Sequence, residues 1–331
     1  MFDEGKNFTV NSNLVLAAVE VTEASALAAS LLIGKGDEKM ADQKAVDAMR
    51  AALNNLDIEG TVVIGEGERD EAPRFYTGEK VGKGGAKIDI ALDPLEGTTN
   101  TAKYSQNALS VIAFSSESGF LNAPDVYMDK IAVGCSIPKG IIDLDNTVEE
   151  NLKNLANEKS VEISDMVACI LDRPRHAQLI ARVRETGTRI ALISDGDIAA
   201  AIATARPNSG IDIYMGLGGA PEGVLAAAAM RCIGGQVQGR LIFRNDVEKS
   251  RAYNCGITDI NKKYDMMELS GSEVVFAATG VTDGSILRGV RRYVDSATTH
   301  SIVMHSKTGI VRMIETTHNL TRKSLTSQVF I

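Results

Sequence analysis

The sequence has no tryptophan, and aromatic residues make up only 5 % of it. Its four histidines form no nucleophile–base constellation, so a triad-type hydrolase is not indicated. Four cysteines, Cys135, Cys169, Cys232 and Cys255, lie far apart without paired spacing, which speaks against a zinc site or a disulfide framework. Cys169 and Cys232 fall inside apolar runs and read as small core residues. Pro/Ser linkers, low-complexity tracts and internal repeats are absent. No uncharged apolar run approaches the ~20 residues needed to span a bilayer. The opening Met-Phe-Asp-Glu-Gly-Lys lacks the basic and apolar regions of a signal peptide, so the expected location is cytoplasmic, with no membrane partner. Positive charge is also short: the net charge of −8 argues against general nucleic-acid binding. An anionic substrate would need metal ions or a local basic pocket.

What is present is a soluble globular composition, 44 % hydrophobic and 24 % charged, over 331 residues. That length can bury one large α/β unit or two packed halves. The stretch Lys87–Asn100 organises the rest. Ile88, Ile90 and Leu92 alternate with Asp89, Ala91 and Asp93, a period-2 strand pattern. Pro94 lacks an N–H and is expected to end the ladder. Just beyond, Asp93 and Glu96 offer oxygen ligands for a hard cation such as Mg²⁺ or Mn²⁺. Gly97 permits close backbone approach, and Thr98 brings a hydroxyl and an amide. Alone, this would be a solvated acidic turn.

Residues 13–33 read as a helix, with Asn11, Ser12 and Asn13 as candidate caps and Gly34 as its stop. A second helix follows Asp37 to about Asn54. In it Asp42 shares a stripe with Val46, Met49 and Leu53, so its carboxylate reaches either water or a cation. The strand Thr61–Ile64 runs into Gly65-Glu66-Gly67-Glu68-Arg69-Asp70, where flanking glycines aim Glu66. Strands are expected at 108–115 and 130–134. Three strand–loop–helix units follow, with strands 166–171, 189–194 and 211–216, a pattern that puts ligands at strand ends. The tail reads as strand Val274–Thr279 and a hairpin, Ser301–His305 and Ile310–Glu315, turning at Lys307-Thr308-Gly309.

Five acids, Asp42, Glu66, Asp93, Glu96 and Glu222, stand at element ends marked by glycine or proline. Glu222 alone would be a first-turn glutamate favoured by the helix dipole. Gathered, the five would repel, and two or three divalent ions would remove that cost. Two metals ~3.5–4 Å apart suit phosphoryl transfer to water. The basic loop Arg173-Pro174-Arg175-His176 has complementary character, since arginine forks match phosphate oxygens. His176 reads as a capping or packing residue. Nucleotide signatures fail: Gly216-Leu217-Gly218-Gly219-Ala220-Pro221 has proline where GxGxxG needs glycine, and GxxxxGK[ST] does not occur.

With these residues assembled, the chain resembles the class II, glycerol-regulon type fructose-1,6-bisphosphatases of bacteria. The resemblance runs from Val21-Thr22-Glu23 to the final hairpin. Its most specific pieces are Val63–Pro73, Asp93–Thr98, Asn122-Ala123-Pro124-Asp125, Arg173–His176, Ser194–Asp197 and Gly218–Gly223. The Asp-Pro-x-Glu-Gly-Thr segment is also similar to the metal signature of inositol monophosphatases and lithium-sensitive phosphatases. This implies an α/β fold, a layered α/β/α/β/α sandwich. It also implies that Asp42, Glu66, Asp93, Glu96 and Glu222 hold Mn²⁺ or Mg²⁺, and that Thr98 helps activate water with Asp42 or Glu66 relaying the proton. Glu96, Gly97 and Thr98 would meet the 1-phosphate, the last two through their amides. Tyr127, Arg173 and Arg175 would hold the distal phosphate and sugar, with Asp195, Gly196, Asp197 and Glu222 lining the sugar. Two departures stand out. The family carries Gly-Asp-Lys-Asn where this chain has Gly36-Asp37-Glu38-Lys39, and residues 244–265 are shorter, trimming a helical excursion away from the site motifs.

The expected function is metal-dependent removal of the 1-phosphate of fructose 1,6-bisphosphate in gluconeogenesis; the alternative within the class is a dual fructose-1,6-/sedoheptulose-1,7-bisphosphatase. An inositol monophosphatase would leave the Arg173/Arg175 pair without a second phosphate. A non-catalytic sugar-phosphate or metal sensor is the rival from another class, and it would not need the Thr98 hydroxyl. The expected organisation is one compact unit of two halves, a metal-binding half to about residue 160 and a sugar-phosphate half beyond it. The resemblance also implies a homodimer or homotetramer.

Overall fold

The structure, a computed structural model, describes residues 12–67, 74–271 and 273–322. The candidate cap Asn11 and the loop residues Glu68, Arg69 and Asp70 lie outside the described residues. In chain order, α1 spans Ser12–Ala29, α2 Glu38–Leu53, β1 Ile58–Ile64, β2 Lys80–Val81 and β3 Ala86–Glu96. Next come α3 (Thr98–Lys103), β4 (Leu109–Ser115), β5 (Tyr127–Val133), α4 (Val148–Lys159) and β6 (Val167–Leu171). Then follow α5 (Ala177–Glu185), β7 (Arg189–Ile193), α6 (Asp197–Thr204), β8 (Ile213–Gly219) and α7 (Ala220–Ile233). After these are β9 (Gln236–Ile242), α8 (Asp246–Asn254), β10 (Lys263–Asp265) and α9 (Met266–Leu269). Last are β11 (Val274–Gly280), β12 (Arg291–Arg292), β13 (Ser296–His305) and β14 (Ile310–Asn319).

Two multi-strand sheets with helices make this an α/β protein, consistent with an α/β sandwich. The chain divides into Met1–Phe120 with Ser272–Ile331, and Leu121–Gly271. This division differs from the one expected near residue 160. The reason is β11, which pairs with β4 on one side and β13 on the other, keeping the terminal hairpin in the first sheet.

In the first unit the sheet order is β12-β13-β11-β4-β3-β1-β2, with β14 on β13. Ala18 and Val21 of α1 and Val46, Met49 and Leu53 of α2 pack on Ile88, Ile90, Leu92, Ile112 and Phe114. The expected stripe of α2 is therefore its core face, with Asp42 at its half-buried start. By length and apolar content Asn13–Leu32 could cross a membrane, but it carries Glu20 and Glu23 and 61 % of it is buried inside the protein. Its buried polar groups are bonded to the sheet. The Thr22 and Thr279 hydroxyls are 2.8 Å apart, and Thr299 Oγ1 donates to Glu23 Oε1 at 2.8 Å.

Pro94 does not end β3. The strand continues to Glu96 across a bulge: Asp93 faces Val111 and Glu96 faces Leu109, so the register shifts between them. A bulge tolerates proline because the ladder is already broken there. The Pro94 carbonyl accepts from the Ser25 hydroxyl at 2.9 Å, and Leu95 N–H donates to Asp93 Oδ1 at 3.0 Å.

The second unit has sheet order β10-β9-β5-β8-β6-β7, with β6 parallel to both β7 and β8. Leu152 and Leu155 of α4 and Ile180 and Val183 of α5 cover Ile131, Val133, Ile170 and Ile213. The alternate residue Tyr214 points to the opposite face, where its hydroxyl donates to Asp197 of α6 at 3.3 Å. Helices thus cover both faces. The three expected strand–loop–helix units are present as β6–α5, β7–α6 and β8–α7. β8 runs on through Gly218 and Gly219, which pair with Met128 and Tyr127 of β5.

Candidate active site

In the first unit, β1 ends against Phe75: Glu66 N–H and Gly67 N–H donate to the Phe75 carbonyl at 3.1 and 2.9 Å. A Cβ on Gly65 would stand 2.7 Å from that oxygen, so glycine is required for the turn that aims Glu66. The Glu66 carboxyl group stands close enough to Asp42 to influence its pKa. Two carboxyl groups can share such a contact only with a proton or a cation between them. Burial is the main influence on Asp42 and raises its pKa, opposed by Arg74 and by the contact with Glu66. Arg74 Nε lies 3.8 Å from Asp42 Oδ2, while buried Asp42 Oδ1 makes no hydrogen bond. Asp93 and Glu96 are both buried on the β3 bulge. Gly97 follows in the left-handed region at φ 85° and starts α3, which places half-buried Thr98 in its first turn.

In the second unit the site residues stand at the C-terminal ends of the parallel strands. β6 and β8 pair only as far as Cys169 and Tyr214, and the two strands part beyond. α5 covers one face of this sheet and α6 the other, and the gap where β6 and β8 part lies at the C-terminal strand ends, the usual ligand position in such sheets. His176 bridges it. Leu217 N–H donates to His176 Nε2 at 2.8 Å, and His176 Nδ1 lies 2.7 Å from the Leu171 carbonyl. Nε2 faces an N–H, so the ring proton sits on Nδ1 and the imidazole is neutral. Burial is the largest cause of a lowered His176 pKa. The packing role expected for His176 is the one observed.

Around this bridge, Arg175 Nε donates to the Leu217 carbonyl at 2.9 Å, and its guanidinium carbon is 4.9 Å from the centre of the Tyr127 ring. Arg173 Nη2 lies 3.9 Å from Asp195 Oδ1. Asp197, the first residue of α6 after left-handed Gly196 at φ 94°, is buried and ion-paired with Lys130. Lys130 Nζ also donates to the Gly219 carbonyl at 2.9 Å. A Cβ on Gly218 would collide with Asp197 and Lys130, and one on Gly219 with the Glu222 carboxylate. The two glycines let three charged side chains press against one strand end. Burial, reinforced by Asp197 and opposed by Lys130, pushes Glu222 up to about 7. Its Oε2 is buried without a hydrogen bond.

The structure thus brings Asp42 to Glu66, Asp93 to Glu96 along one bulge, Tyr127 to Arg175, Arg173 to Asp195, and Asp197 towards Glu222. Among the described residues no three His, Cys, Asp or Glu side chains are grouped as a ready metal cage. The donors nevertheless fit a hard cation: they are carboxylates, Asp42 and Glu66 are crowded together, and Asp42 and Glu222 each keep a buried oxygen without a hydrogen bond. Lys39 is exposed on the first turn of α2. Sequence reasoning missed Lys130, a lone lysine in an otherwise ordinary strand. It also missed Arg244, whose guanidinium carbon lies 5.1 Å from the Tyr127 ring centre. Residues 244–265 hold a nine-residue helix, α8.

A family model described as bacterial fructose-1,6-bisphosphatase, glpX-encoded, matches residues 12–318. The chain is 43 % identical to a protein of Synechococcus sp. (strain JA-2-3B'a(2-13)) named D-fructose 1,6-bisphosphatase class 2/sedoheptulose 1,7-bisphosphatase, covering 93 % of this chain and 96 % of that one. A protein of the same name from Synechococcus sp. (strain JA-3-3Ab) has the same identity and coverage. Fructose-1,6-bisphosphatase 1 class 2 of Escherichia coli (strain K12) is also 43 % identical, over 96 % of this chain and 98 % of its own. Spanning nearly the whole chain, these matches show that it belongs to the bacterial, glpX-encoded fructose-1,6-bisphosphatase family.

Proposed function

We propose that this chain hydrolyses the 1-phosphate of fructose 1,6-bisphosphate, with Mn²⁺ or Mg²⁺, to give fructose 6-phosphate and phosphate in gluconeogenesis. Family membership supports the reaction class. The observation that carries metal dependence is the half-buried Asp42–Glu66 pair, in which Asp42 Oδ1 is buried without a hydrogen bond. Asp42, Glu66, Asp93, Glu96 and Glu222 would hold the ions, which supply positive charge for the phosphoryl oxygens and the attacking water. The Thr98 hydroxyl would orient that water, and Asp42 or Glu66 would accept its proton. The P–O bond to C1 then breaks, and a proton from solvent reaches the leaving alkoxide. Gly97 and Thr98 amides, at the start of α3, would steady the phosphoryl group beside Glu96. Tyr127, Arg173 and Arg175 would hold the distal phosphate and sugar, with Asp195, Gly196, Asp197 and Glu222 along the sugar. Preorganised charge, rather than covalent chemistry, supplies most of the acceleration.

The halves divide this work: the first unit carries the metal-rich phosphoryl end, the second the sugar-phosphate end. The Asp93–Thr98 segment supports kinship with inositol monophosphatases and lithium-sensitive phosphatases. Cys135, Cys169, Cys232 and Cys255 are free thiols, which suits a cytoplasmic setting. Exposed Ile310, Val311 and Met313 on β14 support a homodimer or homotetramer. Activity on sedoheptulose 1,7-bisphosphate is a second reading, favoured by the double name of two relatives.

Phosphate release by metal-stripped protein, with Mn²⁺ or Mg²⁺ restored, tests the proposal. Both bisphosphates, fructose 6-phosphate and inositol 1-phosphate serve as substrates. Metal-dependent turnover of the bisphosphates with the monophosphates intact is expected. No turnover of any of them by folded, metal-binding protein would overturn it in favour of a sensor.

A further inference from the structure

The strand end of β5 presents Tyr127 to two guanidinium groups, not one. Arg175 comes from the loop after β6, and Arg244 from the loop between β9 and α8, 69 residues later in the chain. Each is fixed by its own neighbours. Arg175 is tied through Nε to the Leu217 carbonyl, which leaves both terminal nitrogens without a hydrogen bond among the described residues. Arg244 is held by Glu248, whose side chain is only 3 % exposed. Glu248 Oε1 accepts from Arg244 Nε at 2.6 Å and Oε2 accepts from the Arg244 backbone N–H at 2.7 Å. Asn245 in turn caps α8 by accepting from Glu248 N–H at 3.0 Å. A guanidinium that is 61 % exposed would ordinarily sample many rotamers, yet this one is clamped at both backbone and side chain. Asp125 and Glu248 add negative charge near Arg244, whereas among the described residues Arg175 has no ion pair. Holding two like charges over one ring stores repulsion that a doubly charged anion relieves.

We propose that Arg244 is a second guanidinium of the distal-phosphate subsite, gripping with Arg175 the phosphate that is not cleaved, and that Glu248 is its positioning residue; this rests on the bisphosphatase reading above. Arg244 then determines specificity for bisphosphates over monophosphates.

The test compares wild type with Arg244→Gln, Arg244→Lys and Glu248→Gln in the metal-loaded full chain. Affinity for fructose 6-phosphate, which carries only the distal phosphate, is measured by calorimetry. Arg244→Gln should weaken it roughly tenfold or more, the value of one charged hydrogen bond, with Arg244→Lys intermediate. Glu248→Gln should weaken it less, by freeing the guanidinium. In turnover, kcat/KM for fructose 1,6-bisphosphate should fall by a similar factor, mostly through KM, while kcat/KM for fructose 1-phosphate stays within about twofold. Unchanged affinity for fructose 6-phosphate in Arg244→Gln, or equal loss on the mono- and bisphosphate, would overturn the proposal. Arg244-dependent binding of fructose 6-phosphate by a wild type that hydrolyses no bisphosphate would leave the subsite standing and remove the bisphosphatase reading.

Discussion

His176 shows how one side chain can set a pH dependence without taking part in chemistry. Its neutral ring donates from Nδ1 to the Leu171 carbonyl and accepts at Nε2 from Leu217 N–H. Protonation would turn Nε2 towards a donor and place a cation beside Arg175, with only Asp129 to offset it. The folded pKa is therefore lowered from the ordinary 6.5, chiefly by burial. For a base shifted down, the unfolded chain takes up the proton first on acidification. The stabilisation by His176 is fully present above about 6.5 and is lost as pH falls from there towards the folded pKa. Wild-type stability in denaturant titrations should thus drop between pH 7 and 5.5 more steeply than that of His176→Asn. The variant should start roughly 2 kcal/mol lower at pH 7, having lost the packing and both bonds. Parallel pH profiles would show that the ring stays solvated and that the bridge contributes nothing.

At the scale of elements, the missed features and the legible ones differ in where their information lies. α4 begins with Thr147-Val148-Glu149-Glu150, a capping box that sequence reasoning missed although its residues are local. Thr147 Oγ1 accepts from Glu150 N–H at 3.2 Å, and Glu150 Oε2 accepts from Thr147 N–H at 2.8 Å. Thr147→Ala should cost about 1 kcal/mol, read as a lower denaturant midpoint with kcat unchanged; no shift would mean the helix is held by Leu152 and Leu155 alone. The stripe of α2 was legible because burial imposes a period of 3.6 on the residues themselves, and β3 was legible from its alternating apolar residues although both of its faces are buried from Ile88 onward. The continuation of β3 through Pro94 was not legible. It depends on a bulge opposite β4 and on Ser25 reaching the Pro94 carbonyl, both of them partners distant in sequence. Likewise β8 continues through Gly218 and Gly219 because β5 pairs with them and because three charged side chains exclude any Cβ there. Two glycines in a row read locally as a loop.

At the scale of the molecule, one compact unit is inserted between Phe120 and Ser272 of the other, and no local signal marks that interruption. The acidic residues of the candidate site could be picked out because glycine and proline punctuate them. Their pairing could not, nor could Lys130 and Arg244, since single cations in ordinary contexts leave no pattern. The pairing of Asp42 with Glu66 has a measurable consequence for the whole fold. Two half-buried carboxyl groups this close oppose folding at neutral pH unless a proton or a cation joins them, and desolvation raises the Asp42 pKa accordingly. Asp42→Asn replaces one charge with an amide that can donate to Glu66. Metal-free Asp42→Asn should therefore melt at or above the wild-type temperature although a buried side chain has been changed. Adding Mn²⁺ at about a hundred times its dissociation constant should stabilise wild type by ~2.7 kcal/mol, a rise of roughly 4 °C for a chain of this length. In Asp42→Asn that rise should be largely lost, together with metal-stimulated phosphate release. A variant that melts lower without metal yet keeps the full metal-induced rise would show Asp42 to be a structural acid and would remove it from the ligand set. The two melting curves therefore separate a carboxylate kept for a cation from one kept for the fold.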